Sequence, residues 1–175
     1  GNPHVQLDPV KMADIGLALA ERLSKLDAGL YDAIILASAG LKRLGLADRI
    51  RHSLSAEISL PAVGQGALGL ECRSNDSALL KLIEPLQHQE TSNCVRAERA
   101  FNAYLEGGCQ VPIAGYATLR NDQIQIEGRV GSVDGKVILK AQRVGAIEQA
   151  EQLGEQLAQD LLAQGAGDLL KALHE

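Results

Sequence analysis

The spacing of apolar residues changes once along the chain, near residue 112, and this change constrains the fold more than any other feature. Before it, the segment 90–105 has apolar residues at helical spacing: Val95, Ala97, Ala100, Phe101 and Leu105. From Ile113 the apolar residues fall into three short segments, separated by Asn121-Asp122 and Asp134-Gly135, which are typical of hairpin turns. Helical spacing returns over 147–164 and 166–173. The pattern predicts a small α+β domain with a three-stranded antiparallel meander and helices.

The first third of the chain has a different organisation. Residues 8–27 are predicted to form a helix that begins at Asp8 and ends before Gly29. The apolar run 31–37 is predicted to be a buried strand of a parallel sheet, followed by a short helix over 41–46 and a helical turn within 48–54. So few elements cannot cover both faces of a parallel sheet, so the fold class is α/β plus α+β, with a remnant of a parallel-sheet domain first.

A break rich in glycine and proline separates these two regions. Residues 61–66, Pro-Ala-Val-Gly-Gln-Gly, are predicted to form a turn or hinge. A second short apolar run follows at 67–72, and 77–86 is predicted to be helical. The pair Gly64 and Gly66 is also a fragment of a glycine-rich phosphate loop, but neither a complete GxGxxG nor a GK[ST] follows it.

Composition excludes several classes of protein. Hydrophobic residues make up 46% and charged residues 22%, as in ordinary soluble proteins. We expect no membrane span, because no apolar run approaches ~18 residues. The net charge of −5 and 2% aromatic residues argue against a nucleic-acid partner. The three cysteines show no CxxC spacing, and no secretory signal is visible, which indicates a reduced, cytoplasmic chain.

Local patterns give each candidate site residue two interpretations. Cys109 follows two glycines, so it is either an accessible thiol nucleophile or a small buried hydrophobe in a turn. Arg22 and Arg43 either bind carboxylates or belong to solvated helix faces. The four histidines, at 4, 52, 88 and 174, lack the spacing of metal ligands, so no metal site is expected from them.

Five segments, in order, resemble porphobilinogen deaminase (hydroxymethylbilane synthase). The resemblance covers residues 22–175 and is carried by RLSKLD at 22–27, YDAIILA at 31–37, AGLKRLGL at 39–46, LPAVGQGA at 60–67 and LEGGCQVP at 105–112. The family joins four porphobilinogen molecules head to tail, with loss of ammonia, onto a dipyrromethane cofactor. That cofactor is made from the substrate and is held by a thioether to a cysteine. The resemblance places that cysteine at Cys109.

The resemblance also assigns roles to other residues. Arg22 and Arg43 match arginines of the family that bind the carboxylates of the cofactor and the growing chain. Gly64, Gln65 and Gly66 match the family's crossover between domains, near the cofactor. No catalytic acid is identified, because the family's acid lies in a first domain without a counterpart in these residues. We therefore expect this chain to be inactive by itself.

The family has three domains, and the resemblance divides this chain accordingly. Residues 1–62 would be a partial second α/β domain with an atypical N-terminal helix, 63–89 the crossover, and 90–175 the α+β domain that carries the cofactor. The strand expected near Ala67–Glu71 would lack neighbours, and an unpaired strand edge promotes association. The sequence therefore predicts self-association through that edge.

Residues 2–21 instead resemble the solute-binding proteins of zinc and manganese ABC transporters. The segment NPHVQLDP, at 2–9, is similar to a motif whose histidine binds metal, and His4 matches that histidine. This second resemblance suggests a chimera. It leaves open the alternative of a truncated or chimeric chain without catalysis, which binds metal weakly through His4.

Overall fold

The computed structural model describes residues 19–107 and 111–172. The contacts divide the chain into two compact units, one as far as Ser53 and one from Leu54 onward. Within the described ranges, no helix combines the length and the apolar character needed to cross a membrane.

The first unit contains short helices and irregular segments. Its described part has helix α1 at 19–27, helix α2 at Ser38–Arg43 and a 3₁₀ turn at Ala47–Arg49. Gly29 ends α1 as predicted, with φ +72° and with Leu30 N–H donating to the Lys25 carbonyl at 3.0 Å. The earlier part of the helix predicted over 8–27 lies outside the described residues.

The strand predicted over 31–37 is not formed. This segment is irregular, and Ile35 is 78% exposed. The apolar run 67–72 is irregular too, and Leu68 is 86% exposed. A strand needs a neighbour to pair its backbone groups, and the only sheet in the described ranges is the meander. The predicted parallel sheet is therefore absent from the described residues, whereas the small antiparallel domain is confirmed.

The second unit begins with an irregular segment and then has regular structure to its end. Its elements are α3 (Ser77–Ile83), a 3₁₀ turn (Glu84–Leu86), α4 (Gln89–Tyr104), β1 (Ile113–Arg120), β2 (Gln123–Gly131), β3 (Ile138–Ala146), a second 3₁₀ turn (Ile147–Gln149), α5 (Ala150–Ala163) and α6 (Ala166–Lys171). The strands pair antiparallel in the order β1-β2-β3. The meander and the helices around it match the sequence prediction closely.

The two turns of the meander have the expected chemistry. Asn121 and Asp122 have φ of +49° and +57°, and they connect the paired residues Arg120 and Gln123 in a two-residue hairpin. In the second turn, Asp134 Oδ1 accepts from Ser132 Oγ at 2.6 Å and from the Lys136 backbone N–H at 3.2 Å. The first turn sets the register of β1 against β2, and the second sets that of β2 against β3.

One face of the sheet packs on α4 and α5. Phe101 is fully buried at the centre, and a Cβ at Gly128 would lie 2.7 Å from its ring. The absence of a side chain at this glycine therefore makes room for the aromatic ring. The buried core consists of Ala97, Phe101, Leu105, Ala117, Ile124, Ile126, Val130, Ala150, Leu153, Leu157, Ala158, Leu161 and Ala166.

Candidate functional site

The segment that contains Cys109 connects the end of α4 to the start of β1. Cys109 lies outside the described residues, together with its two neighbours. On the α4 side, Gly107 N–H donates to the Asn102 carbonyl at 2.9 Å, and Asn102 Nδ2 donates to the Gly107 carbonyl at 3.0 Å. Glu106 has φ +53°, which reverses the chain after the helix. These bonds fix the point at which the chain leaves α4.

The other end of this segment is attached to the sheet. The Pro112 carbonyl accepts from Gly131 N–H at 2.9 Å, and Ile113 is paired with Val130. Val130 is fully buried, so this attachment belongs to the core. The described residues that precede and follow 108–110 are thus held by the second unit.

The predicted turn at the Gly64-Gln65-Gly66 segment is confirmed, and residues 63–66 are called the glycine turn below. Gly64 and Gly66 have φ of +70° and +85°, a region that favours glycine. Gln65 N–H donates to the Ala62 carbonyl at 3.0 Å, and Ala67 N–H donates to the Gly64 carbonyl at 3.1 Å. Gln65 is exposed. The three predicted site residues therefore share one turn.

A buried carboxylate joins the glycine turn to the sheet. Glu98 of α4 is only 5% exposed; its Oε2 accepts from Gly64 N–H at 2.7 Å, and its Oε1 accepts from Ala117 N–H at 2.8 Å. Burial raises the pKa of Glu98, although the two N–H groups oppose that effect.

Glu98 is not among the apolar residues by which the sequence identified the stripe of this helix. Its spacing to Cys94, Phe101 and Leu105 is helical, so it lies beside that stripe. That spacing is the signal in the sequence that could have revealed its burial.

A cleft of about 330 Å³ lies among the glycine turn, α4 and β1. His88, Glu90 and Cys94 line it from the α4 side. His88 is exposed and caps the helix, since its Nδ1 accepts from Thr91 N–H at 3.3 Å. Burial, followed by the charges of Glu98 and Glu90, raises the pKa of the Cys94 thiol. Cys94 is therefore a poor nucleophile at neutral pH.

The two predicted arginines lie on neighbouring elements of the first unit. Leu19 of α1 contacts α2 beside Gly40. A Cβ added to Gly40 would lie 3.7 Å from Leu19 Cδ1. Arg49 Nη2, in the 3₁₀ turn after α2, pairs with Asp27 Oδ1 at the end of α1 at 2.6 Å. Along the sequence, Arg22 lies between Leu19 and Asp27, and Arg43 lies between Gly40 and Arg49.

Both arginines are exposed, and neither has a hydrogen bond or ion pair within the described residues. Arg96, Arg129 and Arg143, in contrast, are each paired with a carboxylate. The charges of Arg22 and Arg43 are thus available to an anionic ligand.

The described part of the chain contains no candidate metal-binding site. No group of three or more His, Cys, Asp or Glu side chains there could hold a metal ion. His4, to which the weak metal-binding alternative was assigned, lies outside the described residues.

Two family models match the chain. Residues 5–81 match "Porphobilinogen deaminase, dipyromethane cofactor binding domain", and residues 92–163 match "Porphobilinogen deaminase, C-terminal domain". The first match begins at residue 5, so it includes most of the segment that resembles a transporter protein, and the chimera interpretation gains no support.

The same descriptions bear on cofactor and pathway. They confirm dipyrromethane as the cofactor and indicate a transferase of porphyrin and heme biosynthesis. The two matches follow one another and together cover well over half of the sequence. The chain therefore belongs to the porphobilinogen deaminase family.

Proposed function

We propose that this chain holds the dipyrromethane cofactor through a thioether to Cys109 and supplies the cofactor-carrying part of a cytoplasmic hydroxymethylbilane synthase. The observation that supports this most is that the described residues on either side of Cys109 are held, Gly107 by the α4 cap and Pro112 and Ile113 by the β1–β2 pairing. A covalent cofactor must stay in one place through repeated additions of substrate, and flanking residues held by the fold serve that need. When bound, the cofactor supplies the primer to which pyrrole units from porphobilinogen are added.

Cys109 is the best thiol for this attachment. Cys94 is half-buried and its pKa is raised, so it is mostly protonated and slow to react. The thiolate is the nucleophilic form of cysteine, and glycines on one side allow a ligand to approach closely. We assign the nucleophile to Cys109 for these reasons, together with the family match.

Arg22 and Arg43 fit the charge of the cofactor. Each pyrrole carries two carboxylate side chains, and guanidinium groups bind carboxylates in a bidentate manner. Both arginines are exposed and have no partner within the described residues. In our proposal they bind carboxylates of the cofactor and of the growing chain.

The glycine turn is also assigned to the cofactor in this proposal. Its two positive φ angles expose backbone without side-chain bulk, and Gln65 is exposed at its centre. We divide the chain into residues 1–62, a crossover at 63–89, and a cofactor-carrying domain at 90–175. Gly64, Gln65 and Gly66 would approach the cofactor from the crossover.

The 175-residue polypeptide is not expected to form hydroxymethylbilane by itself. Repeated release of ammonia at a catalytic rate needs a positioned proton donor and acceptor, which accelerate such steps by roughly 10²–10⁴-fold. Loading of the cofactor happens once per chain, so it does not need that rate. Glu98, whose pKa is raised, already accepts two backbone N–H groups and is buried. Incubating the purified polypeptide with porphobilinogen should yield no hydroxymethylbilane, and steady turnover would contradict this part of the proposal.

The mass of the denatured polypeptide tests cofactor attachment. After incubation with porphobilinogen, the wild-type chain should gain the mass of two condensed pyrrole units. Cys109→Ser should abolish the gain, whereas the matched control Cys94→Ser should retain it. A wild-type chain that stays at its bare polypeptide mass would overturn the proposal.

A further inference from the structure

The bond from Glu98 to Gly64 is the polar link between α4 and the glycine turn. The glycine turn also contacts the core through Val63. A Cβ added to Gly115 of β1 would lie 3.2 Å from Val63 Cγ2. Ala97 beside Glu98 and Phe101 one turn later are both fully buried, so the backbone of α4 is held in place here. Glu98 thus connects a fixed helix to the glycine turn through a hydrogen bond.

We propose that Glu98 is a positioning residue, whose ionised carboxylate holds the glycine turn against β1 and so keeps the turn in place for the cofactor. The second half of this statement rests on the function proposed above. An ionised carboxylate accepts hydrogen bonds at both oxygens, and here each oxygen receives one N–H. A protonated carboxyl has a donor at one oxygen and loses one of these two bonds.

Glu98 is better explained by positioning than by stability. Its pKa is raised in the folded chain by burial, so the unfolded chain ionises this group at lower pH. The contribution of Glu98 to stability therefore falls as pH rises from its unfolded pKa through its folded pKa, and it stays lower above that. At neutral pH the charge costs folding free energy, while its two bonds fix one specific arrangement.

Other titratable groups near the carboxylate must be controlled. His88, Glu90 and Cys94 line the same cleft from the α4 side, and Tyr116 lines it from β1. The lining residues of the crossover, 64–67, are uncharged. The core residues of α5 and β2 that face α4 are apolar. His88 and Glu90 are therefore the neighbouring side chains for which the experiment needs controls.

Hydrogen exchange of single amides, followed by NMR on the full chain without cofactor, tests the positioning role. Protection of the Gly64 amide in the wild type should fall as pH decreases through the pKa of Glu98. In Glu98→Gln, the side-chain NH₂ replaces one carboxylate oxygen and faces one of the two backbone N–H groups. Two donors form no hydrogen bond, so one of the two bonds is lost. Gly64 should then exchange roughly tenfold faster at neutral pH and show no pH-dependent step.

Two controls separate this effect from others. Glu90→Gln makes the same substitution two turns earlier in the same cleft, and His88→Asn keeps a capping side chain that does not titrate. Both should keep the wild-type profile at Gly64. Protection of the buried Ile126 amide should be equal in all variants, which shows that the domain remains folded.

The outcomes decide the two halves of the proposal separately. Equal Gly64 protection in wild type and Glu98→Gln, or a flat wild-type profile, would overturn the positioning role. Loading with porphobilinogen, followed by mass, should be several-fold slower in Glu98→Gln than in Glu90→Gln. If Gly64 exchanges faster in Glu98→Gln but this variant loads as fast as Glu90→Gln, the proposed link between the glycine turn and the cofactor is wrong. A wild-type chain that never loads refutes the proposed function, while the exchange data still decide the role of Glu98.

Discussion

At the scale of single residues, substitution of Arg22 or Arg43 separates an effect on cofactor loading from an effect on stability. Arg22→Ala and Arg43→Ala should each slow or weaken cofactor loading, because each removes a guanidinium that has no partner within the described residues. The free energy of unfolding should change by less than about 0.5 kcal/mol, as for other exposed sites. Loading followed by mass, and urea denaturation of the same samples, measure the two effects.

Arg49→Ala is the matched control for these variants. Arg49 lies in the same unit but pairs with Asp27 at 2.6 Å. Its removal should cost a little stability and leave loading unchanged. If Arg49→Ala slowed loading as much as Arg22→Ala, net positive charge would explain the effect, and the assigned roles of Arg22 and Arg43 would be wrong.

Single residues also show what sequence reasoning can and cannot reach. The glycine turn was predictable, because positive φ is a local property of Gly64 and Gly66. The burial of Glu98 was not predicted, since it depends on N–H donors at Gly64 and Ala117, which are distant in sequence. Whether Cys109 carries the cofactor stays a prediction, because it lies outside the described residues.

At the scale of elements, Arg143 attaches β3 to α5. Its Nε and Nη2 donate to the two carboxylate oxygens of Asp160, each at 2.6 Å, and this hydrogen bonding lowers the pKa of Asp160. The pair therefore stabilises the fold above the unfolded pKa of Asp160, and the benefit is lost as pH falls through the folded pKa.

Arg143→Ala should accordingly lower Tm at neutral pH, and the difference from wild type should shrink on acidification. Arg120→Ala, an exposed arginine of β1 without an ion pair among the described residues, is the control and should change Tm little. Thermal melts from neutral to strongly acidic pH measure both. A Tm difference for Arg143→Ala that does not vary with pH would refute this account of the pair.

The contact between α4 and α5 depends on a glycine. A Cβ at Gly154 would lie 2.8 Å from the Phe101 backbone nitrogen and 3.0 Å from the Ala100 Cβ. Gly154→Ala should therefore destabilise the chain by about 1–3 kcal/mol, as overpacking does. Gly167→Ala is the control, because its Cβ would lie 3.6 Å from Leu162, an ordinary contact, and should be neutral or stabilising by up to about 1 kcal/mol. Urea denaturation that finds the two variants equal would contradict this packing.

Helices and hairpins were predictable because their signals are local. Gly29 ends α1 because it adopts a positive φ, and Asn121 and Asp122 form the first hairpin turn because both have a positive φ. The strand predicted over 31–37 failed for a different reason. An apolar run reports burial, but a strand also needs a partner, and the sequence pattern contains no information about whether one is present.

At the scale of the whole molecule, the large cluster of buried residues lies in the second unit, whereas the buried hydrophobic residues of the first unit's described part are Leu23 and Leu41. Hydrogen exchange on the full chain should therefore be slowest in α4, β2 and α5. It should be fastest in segments 31–37 and 67–73, which form no helix or strand. Comparable protection in 67–73 and in β2 would show that this segment has found a partner strand.

Self-association through the segment near Ala67–Glu71 remains a prediction. Leu68 is 86% and Leu70 60% exposed in an irregular segment. Exposed apolar residues of this kind favour contact with a second chain. Light scattering should show a mass that rises with concentration, and Leu68→Lys should reduce that rise. A monomeric mass over a wide range of concentration would contradict the prediction.

The most direct test of the central claim is the location of the cofactor in a tryptic digest of the loaded chain. Cleavage after lysine and arginine separates the cysteines, with Cys72 in peptide 52–73, Cys94 in 82–96 and Cys109 in 100–120. We predict that peptide 100–120 alone carries the added mass of two condensed pyrrole units. The same mass on either other peptide, or on none, would contradict the assignment of the cofactor to Cys109.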